Sequence, residues 1–327
     1  MKLGLGNNKS ALIRPVVAVV VVALLFTLPA FGNNYAITLG TLMALYITLG
    51  HMWNLLAGYS GLVSLGLQMY IGVGAFSVAV FTSDPFNFPL PVGVFLGGVV
   101  STIIAVGLSY LLLRMRGMYF AIATWMFAQA MILVLVSQEF FGRGQGLFID
   151  AAKGMSPTTI YYLSMILVVV TTVVVILLLR SKLGLGLFAV RDNDVAASTA
   201  GVPLFRTKLM CMMISAFVTG ICGGIYYMSQ IWIQPYAAFS INWTVAAVFI
   251  VVIGGIGTMF GPIAGGVIYV ILSQYMATLT WMGSLNMVIL GGVAAAVILA
   301  APKGIIGTLQ LRYGFEIIST RRWMKDD

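Results

Sequence analysis

Apolar runs long enough for one helix or more alternate with short clusters of charge along this 327-residue chain. No formally charged side chain lies between Arg14 and Asp84, Asp84 and Arg114, Arg116 and Glu139, Lys153 and Arg180, or Lys208 and Lys303. A transmembrane helix takes about 20 apolar residues, so the longest of these runs must fold back on itself inside a bilayer. The pattern predicts an all-α, polytopic membrane protein forming a single domain over 1–327. With the N-terminus in the cytoplasm, spans fall at 15–32, 35–56, 62–82, 90–113, 117–137, 159–179, 209–229, 238–253, 262–279 and 283–301. That is about ten, and it returns the C-terminus to the cytoplasm.

Charge placement selects this arrangement. Every Lys and Arg except Arg143 and Lys153 then lies on the cytoplasmic side, as the positive-inside rule requires. Fusing 243–272 into one helix would move Lys303, Arg312, Arg321, Arg322 and Lys325 outside, against that rule. Two inner turns, near 57–61 and 254–261, carry no charge, so either could be a broken helix or a re-entrant turn.

Composition agrees: 8% of residues are charged and 61% hydrophobic, both typical of membrane proteins. A net charge of +9 could suit nucleic acid, but the basic residues sit between apolar spans, so the bilayer is the expected partner and nucleic acid is not. Lys2, Lys9 and Arg14 before an apolar core resemble a signal peptide. No small-x-small cleavage site follows and a second span starts at once, so this segment is read as an uncleaved span. Cys211 and Cys222 would lie about three helical turns, roughly 16 Å, apart, too far for a disulfide. His51 is the only histidine, so no multi-His metal site is expected; beside Trp53 it reads as structural, with a proton relay as the alternative.

Two groups of glycines stand out among the 37: Gly58, Gly61 and Gly66, and then Gly254, Gly255, Gly257, Gly261, Gly265 and Gly266 around Pro262. Gly257, Gly261 and Gly265 repeat every four residues, which suits close helix packing. The same groups also suit interrupted helices lining a transport path. Few polar side chains fall inside the spans. Ser60, Ser64, Gln68, Thr124, Gln129, Gly257 and Thr258 are the pathway candidates, with Ser64 and Gln68 one helical turn apart; each also suits a neutral interhelical hydrogen bond.

No Asp or Glu lies within a span, and no GxxxxGK[ST] phosphate loop occurs. Ion-coupled pumps usually bury acids despite their cost, so the energy source is expected in other chains. A carrier using Na⁺ held by carbonyls at the helix breaks is the competing reading. Enzyme chemistry finds no cluster of His, Cys or acids to use, so no catalytic residue and no cofactor of this chain is expected.

The cytoplasmic loop 180–208 predicts a short helix over 187–200, stopped by Gly201 with Pro203 beyond. Leu187, Val190 and Ala197 would share one side, with Arg191, Asp192 and Asp194 polar. It reads either as a solvated interfacial helix or as a knob that docks on a partner and receives its motion.

Four blocks, in order, carry a resemblance. Asn54-Leu55-Leu56-Ala57-Gly58-Tyr59-Ser60-Gly61-Leu62-Val63-Ser64-Leu65-Gly66 precedes Gly72-Val73-Gly74-Ala75; Arg116-Gly117-Met118-Tyr119-Phe120-Ala121-Ile122-Ala123-Thr124 follows; then comes the loop with Gly184, Ala189, Arg191, Asp192, Ala196, Ala197 and Gly201; Gly254-Gly255-Ile256-Gly257-Thr258-Met259-Phe260-Gly261-Pro262 is last. Over nearly its whole length the chain resembles permease subunits of the branched-chain amino acid (Liv-type) ABC importers. The resemblance implies a bacterial inner-membrane transport subunit working with a second permease subunit, two cytoplasmic ATPase subunits that bind ATP and Mg, and a periplasmic solute-binding protein. It also implies that 187–200 couples to the ATPases. Leu67 and Gln68 depart from the family's usual His or Gln followed by a small residue. Arg143, in Gly142-Arg143-Gly144-Gln145-Gly146-Leu147, replaces a glycine at the expected outer mouth. Related permeases handle urea and short amides, so that substrate class stands as the alternative to amino acids.

Overall fold

The computed structural model describes residues 26–29, 32–278, 286–301 and 303–313. Most of the expected first span, 15–32, lies outside them. Apolar segments leave the backbone no water to bond with, so helices, which bond internally, dominate. In order they are α1 (Asn34–Asn54), α2 (Leu67–Thr82), α3 (Leu90–Leu112), α4 (Met118–Ser137), α5 (Pro157–Arg180), α6 (Lys182–Asp192), α7 (Asp194–Thr199), α8 (Leu204–Gln230), α9 (Pro235–Ala238), α10 (Asn242–Gly254), α11 (Gly261–Thr278), α12 (Asn286–Ala300) and α13 (Gly304–Tyr313). Six stretches are long and apolar enough to cross a membrane: Asn34–Tyr59, Leu90–Leu112, Met118–Ser137, Pro157–Arg180, Leu204–Gln230 and Pro235–Gly254. Leu67–Thr82 and Gly261–Ala277 are shorter apolar helices. The chain is thus an all-α, multi-pass membrane protein.

Helix α1 is the axis of the bundle. Every residue from Ile47 to Ser60 is buried, and α5, α8, α10 and α11 pack around it. On one flank α2, α3 and α8 approach through small residues: a Cβ on Gly74 would strike the Gly220 carbonyl, and one on Gly223 the Ile71 backbone. Small residues at such contacts let backbones meet where lipid offers no hydrophobic drive. Helix α4 is peripheral: 33% of an apolar 18-residue stretch of it is buried, against 61% for such a stretch of Asn34–Tyr59.

The connections have local causes. Ser156 caps α5 by accepting from Thr158 N, Pro157 supplies its first turn, and Arg180 closes the last one. A two-residue antiparallel bridge, β1 (Leu147–Phe148) with β2 (Trp232–Ile233), ties the 138–157 loop to the turn after α8. Ile149 N donates to Ile231 O at 2.8 Å beside it.

Three expectations change. The span expected at 62–82 is helical only from Leu67. Ser64 therefore lies in a non-helical stretch and shares no helix face with Gln68. The helix expected over 187–200 is two helices, because Asn193 is extended (φ −161°, ψ 112°) and its side chain caps α7 through Val195 N and Ala196 N. An N-cap carboxamide starts a new helix instead of continuing the old one.

Candidate functional site

Both glycine groups break helices, and the breaks meet. After Asn54 the helix widens into a π turn, Leu55–Tyr59, and Gly61 then turns the chain at φ 72°. The extended stretch that follows is held at three points. Trp53 Nε1 donates to Ser64 O at 2.9 Å, Leu65 N donates to Thr124 Oγ1 at 3.0 Å, and Gly66 rests on the Thr124 backbone where no Cβ would fit. In the second break, Gly255 and Gly257 adopt φ 124° and 72°, and Gly261 restarts the helix against Gly254. The glycine repeat therefore serves both packing and interruption: Gly265 lies on the Ile250 carbonyl of α10.

Asn54 joins the two breaks. Its Oδ1 accepts from Gly257 N at 2.8 Å and its Nδ2 donates to Thr258 O at 2.9 Å. The side chain is fully buried. It satisfies backbone groups that an interrupted helix leaves open in an apolar interior. Asn54 stands in the first sequence block, yet it was not among the candidate site residues; a lone carboxamide at the end of an apolar run, beside glycines, is the signal that could have marked it.

The pair α6–α7, between α5 and α8, reaches the same place. Arg191 Nη1 donates to Gly58 O at 3.2 Å, and the guanidinium also lies beside Gly257. Asp192 Oδ1 accepts from Nε and Nη2 of Arg191, each at 3.0 Å. The Phe188 ring sits under the guanidinium, 5.4 Å away, and meets Tyr59 edge-on at 5.8 Å. Gly61 packs on the Arg191 backbone. Leu187, Val190 and Ala197 are buried, which seats the pair on the bundle. Asp194 bonds Lys208 at 2.7 Å across to α8. Gly201 stops α7 at φ 82°. Arg191 thus faces its own chain, while Leu185 and Val195 remain 53% and 62% exposed.

Of the remaining candidates, Ser60, Ser64, Gln68, Thr124 and Thr258 lie at or beside the breaks, and Gln129 and Arg143 lie apart. Ser60 donates back to Leu56 O at 2.7 Å. Ser64 Oγ accepts from Gly66 N at 3.2 Å. Thr124 Oγ1 donates to Ala121 O at 2.7 Å and Thr258 Oγ1 to Gly255 O at 2.7 Å. Gln68 is buried and accepts from Thr244 Oγ1. Gln129 is exposed on α4 and does not join this group. Arg143 pairs with Glu139, both largely exposed on the 138–157 loop. His51 is buried, with Nε2 3.4 Å from Thr172 Oγ1. Cys211 and Cys222 are free and buried; their thiols donate to Leu55 O of the π turn and Leu45 O of α1 at 3.3 and 3.6 Å. Among the described residues no group of three or more His, Cys, Asp or Glu could hold a metal.

Residues 35–298 match the family described as branched-chain amino acid transport system / permease component. Two curated relatives are similar over 311 residues at 26% identity, covering 85% of this chain and 71% of theirs. Both are the high-affinity branched-chain amino acid transport system permease protein LivM, one from Salmonella typhimurium and one from Escherichia coli strain K12. No solved structure matches the chain. The matched segment opens within the first turn of α1 and closes inside α12, so it takes in both glycine breaks and the α6–α7 pair, and this chain belongs to the permease-component family of branched-chain amino acid transport systems.

Proposed function

We propose that this chain is the membrane-spanning subunit of an ATP-driven importer that passes a branched-chain or related amino acid into the cytoplasm. In this reading it crosses a bacterial inner membrane about ten times, as one permease domain with both termini inside. It pairs with a second permease subunit, receives solute from a periplasmic binding protein, and takes its energy from two ATPase subunits that hold ATP and Mg.

The observation that carries the reading is the seat of α6–α7. This pair projects exposed apolar side chains, Leu185 and Val195, from the side that carries Arg114, Arg116, Arg180 and Lys208. Its other side is bonded through Arg191 to one glycine break, and Asn54 bonds that break to the next. A force applied to α6 by an ATPase therefore reaches the inner ends of α1 and α10 through charge-assisted and buried hydrogen bonds. Those bonds hold one arrangement of two interrupted helices, so moving the pair shifts the balance toward another.

The test is reconstitution into proteoliposomes, with leucine as the solute. The chain alone should not accumulate leucine, with or without an ion gradient, whereas the complex with ATPases and loaded binding protein should. In that complex, Arg191→Ala should leave ATP hydrolysis running and cut leucine uptake roughly tenfold or more, the loss of a charge-assisted hydrogen bond being worth about 1.5–3 kcal/mol. Uphill uptake by the chain alone, or unaltered uptake by the variant complex, would refute the reading.

A further inference from the structure

A cavity of about 730 Å³ lies between α1, α5, α8 and α11, away from the glycine breaks. Its walls come from the N-terminal halves of α1 and α5, the C-terminal ends of α8 and α11, and the end of the 138–157 loop. In the proposed topology all of these belong to the outer half of the membrane, so the cavity is an outward-facing chamber within one subunit. This rests on the permease reading above.

Three tyrosines, Tyr46, Tyr226 and Tyr269, line it on the side toward α10. Tyr46 packs against Tyr269 at 5.0 Å and Trp243 at 5.7 Å, and Tyr226 meets Trp243 at 4.6 Å. Above these rings stand Thr38, Thr41 and Ser273. Each hydroxyl already donates to a carbonyl of its own helix: Asn34 O at 2.9 Å, Ile37 O at 2.9 Å and Val270 O at 3.1 Å. Their oxygens are left to accept. Gln274 adds a carboxamide. Among the described residues that line it, none is Asp, Glu, Lys, Arg or His.

We infer that this cavity is a solute-binding site for a small, net-neutral amphiphile carrying N–H donors. Hydroxyl oxygens committed as acceptors suit an ammonium or amide group. The aromatic wall suits an apolar side chain and can face a cation. A net charge would enter without a counter-charge, which burial penalises. Lysine and glutamate are therefore excluded on the same ground that admits leucine. Helices α1 and α10 each run from this aromatic floor to the junction at Asn54 and Gly257, so occupancy and the cytoplasmic breaks bear on the same two elements.

Ser273→Cys in the assembled complex tests the site, using benzyl methanethiosulfonate as a filling reagent and wild type as the control for the two buried native thiols. The modified variant should lose at least tenfold in leucine uptake, while hydrolysis stimulated by the loaded binding protein persists. That hydrolysis reports an intact importer, so failure of this site and failure of the permease reading give different results. Leucine at millimolar concentration should slow the modification severalfold, and lysine and glutamate should not. Wild-type uptake after complete modification, or equal protection by lysine, would overturn the assignment.

Discussion

Asn54 shows what a single polar side chain does in an apolar interior. It offers one acceptor and one donor, and both meet backbone groups that the second break exposes. Replacing it with Leu orphans Gly257 N–H and Thr258 C=O together, at about 1–3 kcal/mol for each buried group left unpaired. Asn54→Leu should therefore lower the thermal midpoint of the detergent-solubilised protein by several degrees. Thr48→Val is the matched control: Thr48 is as deeply buried, but its hydroxyl only returns to Ala44 O at 2.8 Å, a carbonyl already served within the helix. A midpoint unmoved by Asn54→Leu, or moved equally by Thr48→Val, would remove the stitch from the account. The sequence exposes the need at Asn54 but not its answer, because the partners lie in a different helix break. Arg191 is a similar case. Its type and place on a short helix between two long apolar ones were legible, whereas its direction, toward Gly58, came from the seating of Leu187 and Val190.

At the scale of elements, glycine spacing was legible and its meaning divided. The second group breaks a helix and also packs one, since the residues that lack a Cβ at the break continue into the α10–α11 contact. The α2–α3–α8 contact is packing alone, and it was not singled out, because Gly74, Gly97, Gly220 and Gly223 come from three separate helices and form no single stripe. Gly223→Leu should force those backbones apart and destabilise by about 1–3 kcal/mol or more, the usual cost of overpacking. Gly107→Ala, on the exposed side of α3 with nothing within 4 Å, should be neutral or slightly stabilising, up to about 1 kcal/mol from helix propensity. Monodisperse yield and unfolding midpoint in detergent measure both, and equal effects of the two substitutions would rule out close backbone packing at Gly223. The break at Asn193 was missed for a related reason. Leu187, Val190 and Ala197 fit one helical face, and that apolar pattern hid the Asn193 cap, although Asn between two acids is a helix-start residue.

For the whole molecule, apolar runs placed most helices within a few residues, since a chain in lipid has only helices to offer its backbone. Sidedness is a separate matter, decided by where Lys and Arg fall and not by packing. Three positions separate the possibilities: Arg114 between α3 and α4, Asp150 between α4 and α5, and Asp192 beyond α5. All three are exposed, and the native thiols at Cys211 and Cys222 are buried, so single cysteines placed there can be read against a low background. A membrane-impermeant maleimide applied to spheroplasts should label Asp150→Cys at once, and Arg114→Cys and Asp192→Cys only after permeabilisation. Helices α4 and α5 then each cross the membrane, and the Arg191 junction lies where an ATPase can reach it. Labelling of Asp192→Cys from outside would invert the chain and take the coupling proposal with it. Labelling of Asp150→Cys and Arg114→Cys from the same side would show that α4 does not cross, and the even return that brings Lys303 back to the cytoplasm would fail by one span.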